Sequence, residues 1–317
     1  MSWPPDAPHG ASRVGLGLAA LGRPAYITTG RAVQLGTDRS VEAMRARTHA
    51  VLDAAYDAGV RYIDAARSYG LAESFLSSWL TQRRLEPGDI AVGSKWGYTY
   101  VGGWRIDAQP QEVQDLSLEA LARQLAESRA LLGEHLTLYR IHSATEENGV
   151  LGSVKVLDAL RQLRAGSLAV GVTVSGPDQA RTIDHVIALE LFDTVQATWN
   201  LLEPSSGPAL ERAHAAGLKV IVKEPLANGR LAPDGDQPAL LAAAAARGVS
   251  ADTLAIAAAL AQPWANIVLS GAVSVDTLQS NLAATPELWD AELAQLAAPL
   301  AIPAAVYWHD RSRRPWT

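Results

Sequence analysis

Val14-Gly15-Leu16-Gly17-Leu18-Ala19-Ala20-Leu21-Gly22 is the stretch on which the choice of fold turns. Its apolar run predicts a strand over Val14–Leu21. A doubly wound open sheet would follow its first strand with a G-x-G-x-x-G turn that opens a helix and receives a pyrophosphate. Here the glycine spacing is wrong, and a long loop carrying Pro24 and Gly30 follows where a helix should start. The dinucleotide fingerprint is therefore rejected.

Outward from that point the chain alternates. Further runs rich in β-branched residues predict strands at Tyr62–Ala66, Ile90–Lys95, Leu136–His142, Leu168–Ser175, Thr194–Trp199, Lys219–Lys223 and Ile267–Ser270. Between the first two, Met44, Thr48, Val51, Leu52 and Ala55 recur at helical spacing, with Asp38 or Ser40 placed to cap and Gly59 placed to end the helix. Leu157, Leu160 and Leu163 repeat the pattern and stop at Gly166, as do Leu210 and Ala213 before Gly217. Strand-then-helix units imply a parallel sheet, because each crossover needs a helix to bring the chain back. Eight units without the open-sheet fingerprint predict a closed (β/α)8 TIM barrel. No linker divides the chain, so residues 1–317 are expected to form one α/β domain, with extra helices near Ser250–Ala261 and Pro286–Ala297.

Composition narrows the function. Lys and Arg number 27 against 33 Asp and Glu, a net charge of −6, which offers no basic field to nucleic acid or anionic lipid. Cysteine is absent, which excludes a thiolate nucleophile and a cysteine zinc site. The histidines are scattered without His-x-His or His-Glu-x-x-His spacing, so no metal site is expected. Met1-Ser2-Trp3-Pro4-Pro5 lacks the basic and apolar regions of a signal peptide. No apolar run reaches eighteen residues; the alanine-rich Leu240–Ala261 comes nearest and is broken by Arg247, Gly248 and Asp252. A cytoplasmic protein is the expectation.

Barrel active sites lie at the carboxyl ends of the strands. The second predicted strand ends in Asp64-Ala65-Ala66-Arg67-Ser68-Tyr69, the third in Ser94-Lys95-Trp96, and the fourth in Arg140-Ile141-His142. A carboxylate, a phenol, an amine and an imidazole thus come from three successive strand ends. Each alone has an ordinary explanation: a turn aspartate, a solvated lysine, a structural histidine, a tyrosine packed under a loop. Together they suit carbonyl reduction, in which an oxygen gaining charge must receive a proton. Tyr69 would supply that proton, Lys95 would lower the phenol's pKa, Asp64 would hold the ammonium, and His142 would orient the carbonyl.

From Val14 to Ala284 the chain resembles the aldo-keto reductase superfamily. Gly59-Val60-Arg61-Tyr62-Ile63-Asp64, with Tyr69 five positions on, is similar to the family signature. Gly93-Ser94-Lys95 and Leu138-Tyr139-Arg140-Ile141-His142 match its lysine and histidine strands. The resemblance implies a catalytic tetrad of Asp64, Tyr69, Lys95 and His142, and a nicotinamide cofactor held across the barrel mouth. The cofactor residues it implies are Ser175, Gln196, Lys223, Pro225, Leu226, Gly229, Arg230, Gly271, Ser274 and Asn281. The match has departures: Gly176 stands where asparagine is usual, and Lys223 replaces an aromatic ring that stacks on the nicotinamide. Gly271 and Thr277 occupy positions where basic residues commonly grip a 2′-phosphate, leaving Arg230 as a substitute. Family habit favours NADP(H), with NAD(H) the other choice.

Tyr26, Trp96, Tyr98 and Trp199 are expected to line a pocket for a small carbonyl compound or sugar-like ring, with Tyr100, Trp104 and Trp308 as further candidates. Trp96–Pro110 is long enough for a lid, and Tyr307-Trp308-His309-Asp310-Arg311 for a tail closing over the site. The expected function is an NAD(P)(H)-dependent oxidoreductase interconverting an aldehyde, ketone or sugar carbonyl and an alcohol. The alternatives are redox-neutral lyase or isomerase work by Lys223 and Glu224, and a cofactor-holding sensor on the same barrel.

Overall fold

The computed structural model of the protein describes residues 12–317, so the expectation drawn from Met1–Pro5 lies outside the described residues. In chain order the strands are β1 Val14–Gly17, β2 Tyr62–Asp64, β3 Ala91–Trp96, β4 Tyr98–Tyr100, β5 Glu112–Gln114, β6 Leu136–Ala144, β7 Ala169–Val174, β8 Thr194–Thr198, β9 Lys219–Lys223 and β10 Ile267–Ser270. Eight of them close a barrel in the order β1-β10-β9-β8-β7-β6-β3-β2, every neighbour parallel. The helices are α1 Arg31–Leu35, α2 Val41–Asp57, α3 Ala72–Arg83, α4 Leu118–Leu132, α5 Val154–Ala165, α6 Gln179–Ala188, α7 Gly207–Ala215, α8 Pro238–Ala246, α9 Ala251–Leu260, α10 Val275–Leu282, α11 Ala291–Ala297 and α12 Ala304–Ser312.

Local chemistry explains the helices that pack the outer layer. In α2 the Ser40 hydroxyl accepts from the Ala43 N–H, and the buried face is Met44, Thr48, Val51, Leu52 and Ala55. Side chains alternate along each strand, so one set fills the barrel and the other meets the helices. Tyr62, Ala91, Leu138, Ile221, Ile267 and Leu269 pack together inside. Val92, Ile141, Val172, Val195 and Val220 belong to the separate core cluster that includes the helices' buried faces.

The opening stretch departs from its expected length. β1 stops at Gly17, because the Leu21 and Gly22 N–H groups both donate to the Leu18 carbonyl and turn the chain. Gly22 then passes so close to the next strand end that a Cβ there would sit 2.2 Å from the Tyr69 carbonyl oxygen. The expected lid after Trp96 contains an antiparallel hairpin, with Tyr98 opposite Gln114 and Tyr100 opposite Glu112. The expected C-terminal tail is helical as α12. Ser250–Ala261 appears as α9, and Pro286–Ala297 as a 3-10 turn followed by α11. Among the described residues no single helix is long and apolar enough to cross a membrane. The alanine-rich α8 and α9 are bent by 92° at their break, and α9 is buried along its whole length.

Candidate active site

Barrel parity assembles the site. Asp64 lies two residues after Tyr62, Lys95 two after Gly93, and His142 two after Arg140, and the register sets Lys95 beside Arg140. The Asp64 carboxylate is 2 % exposed and receives four donors: Lys95 Nζ, the Arg140 guanidinium, Gln196 Nε2 at 2.9 Å and Tyr62 Oη at 3.1 Å. Burial works against its charge, but Arg140 and Lys95 together hold it below the usual carboxylate range. Burial pulls the Lys95 ammonium down to about 7, with Asp64 opposing. Lys95 Nζ also donates to the Ala65 carbonyl at 2.9 Å and reaches Tyr69 Oη at 3.1 Å.

The tetrad candidates are thus brought together, and the net shift at the phenol is opposite to the one expected from Lys95 alone. Burial and the nearby Asp64 push the Tyr69 phenol well above its ordinary pKa. His142 is pushed well below the usual imidazole range by burial and by Lys95, Lys223, Arg23 and Arg140, so its ring is neutral. Its Nδ1 lies 3.4 Å from Ser68 Oγ, and its ring meets Tyr69 and Tyr98 edge-on at 5.6 and 5.1 Å.

Tyr69 and His142 border a cavity of about 310 Å³. Its wall continues through Ser175, Gln196 and Lys223 to Pro225, Leu226 and Gly229, and on to Gly271, Thr277 and Asn281. Those are the strand-end segments expected to hold a cofactor. Tyr26 also lines it, as expected for a substrate contact. Gln196 and Asn281 are partly committed already. Gln196 bridges Asp64 and Thr173, while Asn281 bridges Ser270 and Asp252.

Other candidates fall elsewhere. Trp96 is completely buried and, one residue after the inward Lys95, faces the opposite side of the strand into the helix-packed core. Trp199 is 7 % exposed and packs edge-on against Trp264 at 5.7 Å, away from the cavity wall. Tyr98 packs on His142 and is not part of the wall. Arg230 turns to Asp236, 3.1 Å away, and Ser274 caps α10 by accepting from the Thr277 N–H. Lys223 does face the cavity. It neither pairs with Glu224 nor lies against Trp199; its Nζ is 3.3 Å from Ser175 Oγ and 5.5 Å from the Trp308 ring centroid.

Several residues of the site carried no role in the sequence reading. Arg140 is the most deeply placed, and strand period alone could have found it, since it shares the inward face with His142. Arg23 lines the cavity between Tyr26, Tyr69 and Trp316, its guanidinium 4.6 to 5.4 Å from each ring, and pairs with Glu112 at 2.8 Å. Arg311 of α12 holds Glu224 through two guanidinium nitrogens. At the far rim Tyr26 exchanges backbone hydrogen bonds with Thr317, at 3.0 and 3.2 Å.

The sequence model of the aldo/keto reductase family matches residues 14–299. No curated protein sequence is significantly similar to the chain. Among solved structures, the holo form of an aldo-keto reductase from Bacillus halodurans superposes with a TM-score of 0.70 at 22% identity, covering 93% of each chain. A glycerol dehydrogenase from Gluconobacter oxydans gives 0.69 at 20% identity, over 92% of this chain and 91% of that one. A putative aldo-keto reductase from Pseudomonas aeruginosa gives 0.63 at 20%, over 92% and 91%. Fold, strand-end chemistry and family match agree: the chain belongs to the aldo/keto reductase family, whose members are carbonyl–alcohol oxidoreductases.

Proposed function

We propose that the protein interconverts a small aldehyde, ketone or sugar carbonyl and its alcohol with a nicotinamide cofactor, and that Tyr69 transfers the proton. The observation that carries this reading is the Tyr69 phenol at the cavity wall, 3.1 Å from a buried lysine anchored on Asp64 and edge-on to the His142 ring. The cavity suits the cofactor chemically. Arg23, Arg31, Lys223 and Arg311 line it against Asp64, Glu112 and Glu224, a positive balance for a dinucleotide with a diphosphate. Ser175, Gln196, Pro225–Gly229 and Gly271–Asn281 would hold it. When bound, it supplies or accepts the hydride.

The chain's own groups do the rest. His142 is neutral and, with Nδ1 facing Ser68 Oγ, offers its other ring nitrogen as a hydrogen-bond donor to the carbonyl oxygen. As hydride reaches the carbon, that oxygen gains charge and takes the Tyr69 proton. The Lys95 ammonium, 3.1 Å away, then steadies the phenolate left behind. In the oxidative direction the same phenolate takes the proton back. Asp64 and Arg140 hold Lys95 in place throughout.

The wall near Gly271, Thr277 and Asn281 offers no free guanidinium among the described residues, and Arg230 is committed to Asp236. A 2′-phosphate is best held by such a fork. This supports NAD(H), against the family habit that favours NADP(H). The lyase reading loses its acid–base pair, because the Glu224 carboxylate is taken up by the Arg311 guanidinium and held in its charged form. Titration with NADH and with NADPH, followed by tryptophan fluorescence and then by absorbance with a panel of aldehydes and sugars, tests the reading. Tight nucleotide binding with one equivalent of cofactor oxidised per carbonyl reduced is expected. Failure of both nucleotides to bind overturns it.

A further inference from the structure

A phenol that must shed and recover a proton does so according to the charges that face it. Around Tyr69 these come from Asp64 on β2, Lys95 on β3, Glu112 on β5, Arg140 and His142 on β6, and Arg23 and Tyr26 after β1. Lys223 and Glu224 at the end of β9, and Arg311 of α12, line the same cavity. Arg140 and Lys95 both donate to Asp64, and burial pulls the Lys95 ammonium down to about 7. At neutral pH that ammonium is therefore only about half charged. A guanidinium suffers no such loss across the working range of an enzyme.

Arg23 is placed to supply a constant charge. It is 2 % exposed, and its guanidinium carbon lies over the Tyr69 ring, 5.4 Å from the centroid. Its Nη1 donates to the Ser68 carbonyl at 3.0 Å, in the peptide unit that leads into Tyr69. Trp316 and Tyr26 flank the guanidinium at 4.6 and 5.1 Å. The backbone reinforces the contact, because Gly22, the residue before Arg23, accepts from the Leu71 N–H at 2.7 Å just past the same turn. Burial and then Asp64 raise the phenol, and Arg23 acts in the opposite direction.

Glu112 tempers that charge. It stands on the hairpin, opposite Tyr100, and accepts from Arg23 Nη1 at 2.8 Å. Its side chain is 24% exposed, so solvent screens the carboxylate and it offsets the deeper guanidinium only in part. We propose that Arg23 is a positioning residue for the proton-transfer step, seating the Ser68–Tyr69 turn and laying a permanent positive charge over the phenol ring. Glu112 then sets how much of that charge the ring feels, which couples the place of the hairpin to the strength of the acid. This deepens the proposed function and rests on Tyr69 as the proton donor.

The two members of the pair should act in opposite directions, which a merely structural pair would not do. With 3,5-difluorotyrosine in place of Tyr69, a more acidic phenol reports its own titration by 19F NMR in the full chain, without cofactor or substrate. Arg23→Gln should raise the midpoint by about one pH unit, and Glu112→Gln should lower it by a similar amount. Arg23→Lys, which keeps the charge, should hold most of the wild-type value. In the unlabelled enzyme, the pH profile of kcat for alcohol oxidation should move in the same two directions. Midpoints that shift the same way in Arg23→Gln and Glu112→Gln overturn the inference, as does an unmoved midpoint in both. Should Arg23→Gln fail to fold, Glu112→Gln decides alone, and a phenol that titrates as in wild type overturns the inference. Opposite NMR shifts without turnover of any carbonyl or alcohol would sink the oxidoreductase reading and leave the hold of Arg23 on the phenol standing.

Discussion

Replacing Arg311 by methionine strands the Glu224 carboxylate, whose side chain is only 9% exposed, and the consequence can be worked out. Glu224 falls from 4.5 to about 2: burial alone would raise it, but Arg311 and then Lys223 more than compensate. At ~1.4 kcal/mol per pKa unit this corresponds to ~3 kcal/mol of stability at neutral pH, in line with the usual cost of breaking a buried pair. Lys223 takes up part of the loss in the variant, so ~2–3 kcal/mol is expected for Arg311→Met, about 3–5 °C in Tm for a chain of this size. The double variant Glu224→Gln/Arg311→Met removes both charges and should recover most of it, because the damage lies in the unpaired partner. The pH dependence has a definite sign. Glu224 is more acidic in the folded protein, so its contribution is complete above pH 4.5 and is lost as pH falls toward about 2. Urea unfolding followed by tryptophan fluorescence, at pH 7 and at pH 3, measures all of this. Additive losses in the double variant, or a gap between wild type and Glu224→Gln that is as large at pH 3 as at pH 7, would refute the reasoning.

Two further outcomes follow from the barrel interior and the cavity wall. Gly93→Ala would put a Cβ 2.4 Å from Tyr62 Oη and 3.1 Å from the Arg140 guanidinium, so it should destabilise by more than ~2 kcal/mol; an unchanged melting temperature would show that the interior gives way freely. Tyr26→Ala should raise KM for carbonyl substrates severalfold, whereas Trp96→Phe should leave KM within about twofold, since only Tyr26 reaches the cavity; Michaelis kinetics on both variants decide it.

The architecture was legible because its signal is local and repeated. Lys219–Lys223 and Ile267–Ser270 were read to the residue, and the buried face of α2 is the stripe predicted from its spacing. β1 was drawn too long because Leu18 and Leu21 are as apolar as a strand would be, and nothing in the residues announces the turn at Leu18. The assembly of Asp64, Tyr69, Lys95 and His142 was also readable, since strand ends converge at one mouth of a barrel. The direction of the pKa shift at Tyr69 was not. It is set first by burial and then by Asp64, and how deeply the phenol is buried depends on packing across the barrel. The aromatic wall failed for a related reason: Trp96 and Lys95 are adjacent in sequence and opposite in space. Arg23, Glu112 and Arg311 come from segments far apart in the chain, and no spacing rule connects them.

The account's central claim is that Tyr69 delivers the proton in a nicotinamide-dependent carbonyl reduction, and Tyr69→Phe tests it most directly. Nucleotide affinity, read by tryptophan fluorescence, should stay within about threefold of wild type, while kcat for an accepted aldehyde should fall by about 10²–10⁴-fold. A phenylalanine variant that binds nucleotide and reduces the aldehyde at the native rate would contradict the claim.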